Sequence, residues 1–138
     1  PNGFRNPYIG KKFKWGKYDC FSIVKIYYKQ ELGIDLNEEV TERGRDFFHK
    51  NFNLFNLDEY LKIAERNNLE VLPKSTKLIK NDILLFRNPD NINYHFGVYL
   101  DDNSYIHVPD SSVSQLSILS EEKIDNLYSV IRAKKKTQ

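Results

Sequence analysis

The stretch DILLFRNPDNINYHFGVYLDDNSYIHV, residues 82–108, decides how this chain folds. Asp82–Arg87 is apolar and strand-like. Tyr94–Leu100 and Ser104–Val108 are two further strand-like runs, on either side of Asp101, Asp102 and Asn103. Such short polar residues between two strand-like runs predict a hairpin, with Asn103 suited to a left-handed turn position. A loop of those three residues pairs Gly97 with His107. His95 then lies diagonally beside His107 on one face. Diagonal neighbours sit roughly 7–8 Å apart, within reach of two imidazole rings. Gly97 leaves room there. A two-residue loop would send the rings to opposite faces.

Upstream, residues 1–17 are rich in Gly, Pro, Asn and Lys and read as an extended lead-in. A helix is predicted from Asp19-Cys20 to Gly33, since Asp19 is a good N-cap type and Gly33 a good residue just past a helix end. Polar positions are few before the last turn, where Ser22, Lys25 and Lys29 form one narrow stripe. The other faces carry Phe21, Ile23, Val24, Ile26, Tyr27, Tyr28 and Leu32. This helix is therefore expected to be central and mostly buried. A weaker helix is expected over residues 37–52, interrupted by Gly44, and a better one over Asn56–Asn67, where Asn56 and Glu59 suit a capping box. Downstream, Leu69–Leu72 is a short run stopped by Pro73, and Ser117–Leu119 and Tyr128–Ala133 are predicted strands. Helices first, then an antiparallel meander, argue for an α+β fold.

The 138 residues fit one domain over 1–131, followed by a basic tail over 132–138. With 40% apolar and 29% charged residues, the composition is that of a globular chain. No apolar run approaches the length of a membrane-spanning helix, so no membrane insertion is expected. A single cysteine excludes an internal disulfide framework and a multi-cysteine zinc site. Pro1 opens a sequence with no Met, so an initiator removed or a trimmed form is expected, and no secretory signal pattern is seen. The net charge of +2 is unevenly spread. Residues 1–29 carry +6, residues 30–131 carry −8, and Arg132 with Lys134, Lys135 and Lys136 adds +4. An acidic body with a short basic tail is not the pattern of a nucleic-acid binder.

The chemistry-bearing residues are few: Cys20, His49, His95 and His107. A thiolate is stabilised at a helix N-terminus and near cations, and Cys20 is expected in such a place, inside the +6 segment. A nucleophilic thiol needs a proton acceptor and a third group to orient it. His95 and His107 on one hairpin face suit those two tasks. The alternative is an inert core cysteine beside two ordinary strand histidines. A metal reading of the histidine pair needs a third ligand, for which only Asp101 or Asp110 is at hand. No cofactor is indicated. His49, within FFHKNF, is assigned no catalytic role.

Two blocks of this sequence resemble the NlpC-like cysteine peptidases, papain-like enzymes that cut the peptide stems of bacterial cell walls. The first is FKWGKYDCFSIVKIYYKQELGI, in which Phe13, Trp15, Gly16, Asp19, Cys20, Val24, Tyr28, Gly33 and Ile34 match. The second is NDILLFRNPDNINYHFGVYLDDNSYIHV, in which His95, Gly97, Val98, Tyr99, Leu100, Ile106 and His107 match. The resemblance spans residues 9–131. It implies a papain-like α+β fold, with an N-terminal Cys-bearing helix packed on a small antiparallel sheet. It also implies a cysteine endopeptidase or amidase that uses Cys20 as nucleophile, His95 as base and His107 to orient the base. Asp19, Trp15 and Tyr18 would lie on the substrate side, and a peptidoglycan peptide would be the substrate.

Phe21-Ser22 replaces the Ser-Gly pair that many members carry after the cysteine, and Asn81-Asp82 replaces a Gly-Asp. The aromatic at position 21, the helical stretch and the runs LEVLP and DILLF look more like phage tail-tip members. That implies phage tail proteins as partners, and a location in the virion or in the host cytoplasm before assembly. For the upstream tyrosine on the oxyanion side, Tyr8 is available, but the motif places Phe13 there. Two rival readings are a catalytically silent tail-assembly protein of the same fold, and an amidase or acyltransferase acting on a non-wall substrate.

Overall fold

A computed structural model describes residues 7–12, 22–36, 64–65, 67–87, 94–109 and 113–134. Helix α1 (Ser22–Leu32) buries Ile23, Val24, Tyr27 and Tyr28, which the helical repeat gathers on one side. Lys29, Gln30 and Glu31 are exposed. Gly33 takes a left-handed φ of +66°, and its N–H donates to the Lys29 carbonyl at 3.2 Å, which ends the helix. The predicted helix start at Asp19-Cys20 lies outside the described residues. So do the predicted 37–52 helix and most of the 56–67 helix. Ala64 and Glu65 are helical and lead into a turn at Asn68, whose φ is 59°.

Six strands follow among the described residues: β1 (Leu69–Pro73), β2 (Ile83–Arg87), β3 (Tyr94–Tyr99), β4 (Ser104–His107), β5 (Gln115–Ile118) and β6 (Leu127–Ala133). They form one antiparallel sheet in the order β1-β6-β2-β3-β4-β5. This corrects the expected meander. Strands β2 to β5 do run as one, but β6 returns to sit between β1 and β2. Its sequence explains the place: Val130 and Ile131 point to opposite faces and both are buried, so β6 needs cover on both sides. Pro73, expected to stop β1, is instead its last residue. An edge strand tolerates the missing N–H. A short helix absent from the sequence reading, α2 (Glu121–Asp125), links β5 to β6. Ser120 caps it by accepting the Lys123 N–H, and Glu121 and Glu122 sit in its first turn, where the helix dipole favours acids.

Each face of the sheet carries its own apolar cluster. On the first face α1 packs against Ile83, Leu85, Phe96, Val98, Ile106 and Ile131. On the second, Leu84, Phe86, Tyr105, Leu119, Leu127 and Val130 pack together. The segment before β2 ties these parts. The buried Asp82 carboxylate accepts Arg132 Nε at 2.8 Å and Arg132 Nη2 at 2.8 Å, and also the Ile79 N–H at 2.9 Å. Tyr27 Oη donates to Asn81 Oδ1 at 2.6 Å, and Tyr28 Oη donates to the Asn81 carbonyl. Among the described residues no helix is long and apolar enough to cross a membrane.

Candidate active site

The β3–β4 hairpin turns through Asp101, Asp102 and Asn103, and the last two adopt left-handed φ values of 54° and 59°. The Leu100 N–H donates to the Ser104 carbonyl at 2.9 Å and closes the loop. The three-residue loop sets the register, with Gly97 opposite His107 and Val98 opposite Ile106. Because side chains alternate along a strand, Phe96 and Val98 enter the α1 face. His95, Gly97 and His107 therefore share the second face with Phe86 and Tyr105.

His95 Nε2 lies 2.7 Å from His107 Nδ1, and the two rings meet edge to face at 5.0 Å. His107 Nε2 in turn lies 2.7 Å from Ser117 Oγ on β5. His95, His107 and Ser117 thus form a diagonal row across three neighbouring strands. The Tyr105 ring covers His107 at 4.6 Å and the Phe86 ring at 5.3 Å. That ring also fills the space over Gly97. A Cβ at Gly97 would meet Tyr105 Cδ2 at 2.8 Å and the Ile106 carbonyl oxygen at 3.1 Å. The space at Gly97 therefore houses a wall of the histidine pocket.

Both imidazoles are held neutral. Burial pushes the His95 pKa well below the usual value, and the neighbouring His107 and the Lys123 charge add to this. Burial is also the main cause at His107, helped by Lys123, and pushes its pKa down to about 4. A neutral imidazole has one N–H and one bare nitrogen. With Nε2 of His95 engaged by His107, Nδ1 is the nitrogen left to face a reacting group. The row can thus hold one ring in a single tautomer while its free nitrogen takes up or gives back a proton.

Cys20, Asp19, Tyr18 and Trp15 lie outside the described residues, as does His49. By sequence Cys20 comes two residues before the first residue of α1. Tyr8 is among the described residues. Its hydroxyl donates to Glu31 Oε2 at 2.6 Å, in the last turn of α1, and its ring packs on Tyr27 at 5.1 Å. Nine residues of helix, roughly 13 Å of rise, separate Glu31 from the end of α1 that follows Cys20. Tyr8 is therefore a core residue at the opposite end of the helix. As for a metal, no group of three or more possible ligands occurs among the described residues. Asp101 sits in the hairpin loop, at the other end of β3 from His95, and Asp110 lies outside the described residues. Sequence reading passed over Ser117, because the long link between β4 and β5 leaves their register open.

The NlpC/P60 family model matches residues 10–133. Among solved structures, that of the NlpC/p60 domain of the peptidoglycan hydrolase SagA is similar to this chain. The TM-score is 0.56 at 18% sequence identity, and the match covers 90% of this chain and 88% of that one. The two share a fold. No protein of curated function matches the sequence.

Proposed function

The chain belongs to the NlpC/P60 family, and from that premise we propose that it is a cysteine peptidase hydrolysing amide bonds in the stem peptides of peptidoglycan. The observation that carries this reading is the 2.7 Å contact between His95 Nε2 and His107 Nδ1, which leaves His95 Nδ1 as the acceptor. Cys20 is the nucleophile. Its thiol meets His95 at the start of β3. The Cys20 thiol gives its proton to His95 Nδ1 as the sulfur–carbon bond to the substrate carbonyl forms. The Cys20 backbone N–H faces the developing oxyanion, since Tyr8 is committed to Glu31. His95 then returns the proton to the leaving amine as the carbon–nitrogen bond breaks. Water attacks the thioester, His95 takes its proton, and the sulfur recovers it. His107 keeps the base in its tautomer, as the carboxylate does in a serine triad. Asp19, Trp15 and Tyr18 contact the peptide.

The proposed setting is a phage tail tip that opens the wall during infection. It is supported by Phe21 after the cysteine and by the runs LEVLP and DILLF. Digestion of purified peptidoglycan by wild type and by Cys20→Ala, with product masses read out, tests the reaction. New stem-peptide fragments from wild type alone are expected. Rapid alkylation of Cys20 at neutral pH with no product from any wall preparation would instead favour an acyltransferase or amidase on another substrate. Slow alkylation with no product would favour a silent structural protein.

A further inference from the structure

Ser117 stands at the outer end of the histidine row, on the edge strand β5, and the chemistry proposed above does not use it. Its Oγ lies 2.7 Å from His107 Nε2. The geometry points to Ser117 as a positioning residue: its hydroxyl accepts the His107 Nε2–H and so holds the His107 tautomer whose bare Nδ1 receives the Nε2–H of His95. This assignment rests on the proposed roles of His95 and His107.

Hydrogen-bond polarity sets the direction of the row. For His95 Nδ1 to take a proton, the hydrogen of neutral His95 must sit on Nε2. His107 Nδ1 must then be bare and accept it, which puts the His107 hydrogen on Nε2. Ser117 Oγ is left to accept. Reversing the row would place a hydrogen on His95 Nδ1 and remove the base. The same polarity serves after His95 has taken a proton, because the imidazolium keeps its Nε2–H. No proton therefore has to travel along the row during turnover.

His107 is only 5% exposed, so little water can replace a lost partner. The Tyr105 ring, 4.6 Å away, fixes the plane of the imidazole, but an apolar contact does not distinguish one tautomer from the other. Among the described residues, the Ser117 hydroxyl is the polar side chain bonded to His107 Nε2. A Ser117→Ala variant leaves that N–H buried and unpaired, and the preference for one tautomer weakens. Ser117→Thr keeps the hydroxyl and suits a strand.

The experiment is two-bond nitrogen–proton correlation of the imidazoles in the full chain, paired with steady-state kinetics on peptidoglycan. In wild type, both histidines are expected to carry hydrogen on Nε2. In Ser117→Ala, His107 is expected to become a tautomer mixture, with kcat down about tenfold and KM within about twofold. Ser117→Thr is expected to restore both readouts. A wild-type His107 protonated on Nδ1, or an unchanged tautomer in Ser117→Ala, overturns the assignment. If Ser117→Ala does not fold, the wild-type and Ser117→Thr tautomers decide. A wild type that leaves peptidoglycan intact defeats the proposed reaction, whereas a His107 tautomer that shifts in Ser117→Ala and returns in Ser117→Thr still shows that Ser117 sets the His107 tautomer.

Discussion

At the residue scale, the three histidines separate by the motifs they belong to. His95 and His107 are joined at 2.7 Å within one pocket. His49 belongs to neither motif. In peptidoglycan digestion, His95→Ala is expected to abolish turnover and His49→Gln to stay within a few-fold of wild type. His107→Ala is expected to hurt less than His95→Ala, since the Phe86 ring, 6.2 Å from the His95 ring, still orients part of the pocket. The variant lacking both Cys20 and His95 should be no slower than either single variant, because groups acting as a unit do not lose rate independently. Multiplying losses would show that the two are not partners. Protonation gives a second test. The His107 pKa falls from 6.5 to about 4 on folding, mainly through burial. The unfolded chain therefore binds more protons between those values. The His107 share of stability is complete above about pH 6.5 and is lost as pH falls toward 4. Urea denaturation of wild type and His107→Gln should give curves that converge or cross on acidification from pH 7 to 5. A wild-type-to-variant difference constant over that range would show that the ring is not buried as a neutral base.

At the element scale, the β3–β4 hairpin is the unit that makes the site. Its loop length sets the pairing of Gly97 with His107, and that pairing puts both imidazoles on one face. Gly97 is needed for close approach. Its φ is ordinary, but Tyr105 Cδ2 would lie 2.8 Å from an added Cβ. Tyr105 is 1% exposed and has nowhere to retreat. Gly97→Ala is expected to cost about 1–3 kcal/mol, typical of overpacking, and to lower kcat by tilting the ring that covers His107. A variant with unchanged stability and rate would show that Tyr105 has slack. The register of this hairpin was legible in the sequence, because three turn-type residues between two alternating strands leave few registers open. The β4–β5 register was not legible, because the link between those strands is too long to dictate a pairing. That is why Ser117 appears only in three dimensions.

At the scale of the whole molecule, β6 joins the sheet's two parts, and Arg132 on β6 closes the structure against Asp82. Asp82 is 1% exposed, while the Arg132 side chain is 25% exposed. Removing the carboxylate leaves the Ile79 N–H without its acceptor and takes two hydrogen bonds from the Arg132 guanidinium, which keeps the Lys77 carbonyl at 2.9 Å. Asp82→Ala is expected to lower stability by about 3 kcal/mol, the lower end for a broken buried pair. Equilibrium denaturation checks this, and a loss below about 1 kcal/mol would reduce the pair to a surface contact. Charge acts at longer range. Lys11 and Lys12 of the +6 segment are exposed. If the segment forms a collar for an anionic wall polymer, raising salt from low to physiological strength should weaken wall binding, since screening there acts over roughly 8 Å. Salt-independent pelleting with wall fragments would leave these lysines as plain surface residues.

The sequence by itself determined the α+β class, the hairpin with its two facing histidines, and the end of α1 at Gly33. Each depends on local features: the order of helical and strand-like runs, a loop length, and a left-handed position that glycine occupies without strain. Tertiary structure decided where β6 lies, why Gly97 has to be glycine, that Tyr8 serves Glu31 and the core, and that Ser117 ends the histidine row. Those outcomes depend on contacts between segments far apart in the chain. Alternation along a strand tells which residues share a face, but not which strand comes to lie beside it. Only the burial of both faces of β6, and the pairing of Asp82 with Arg132 fifty residues away, select the observed order.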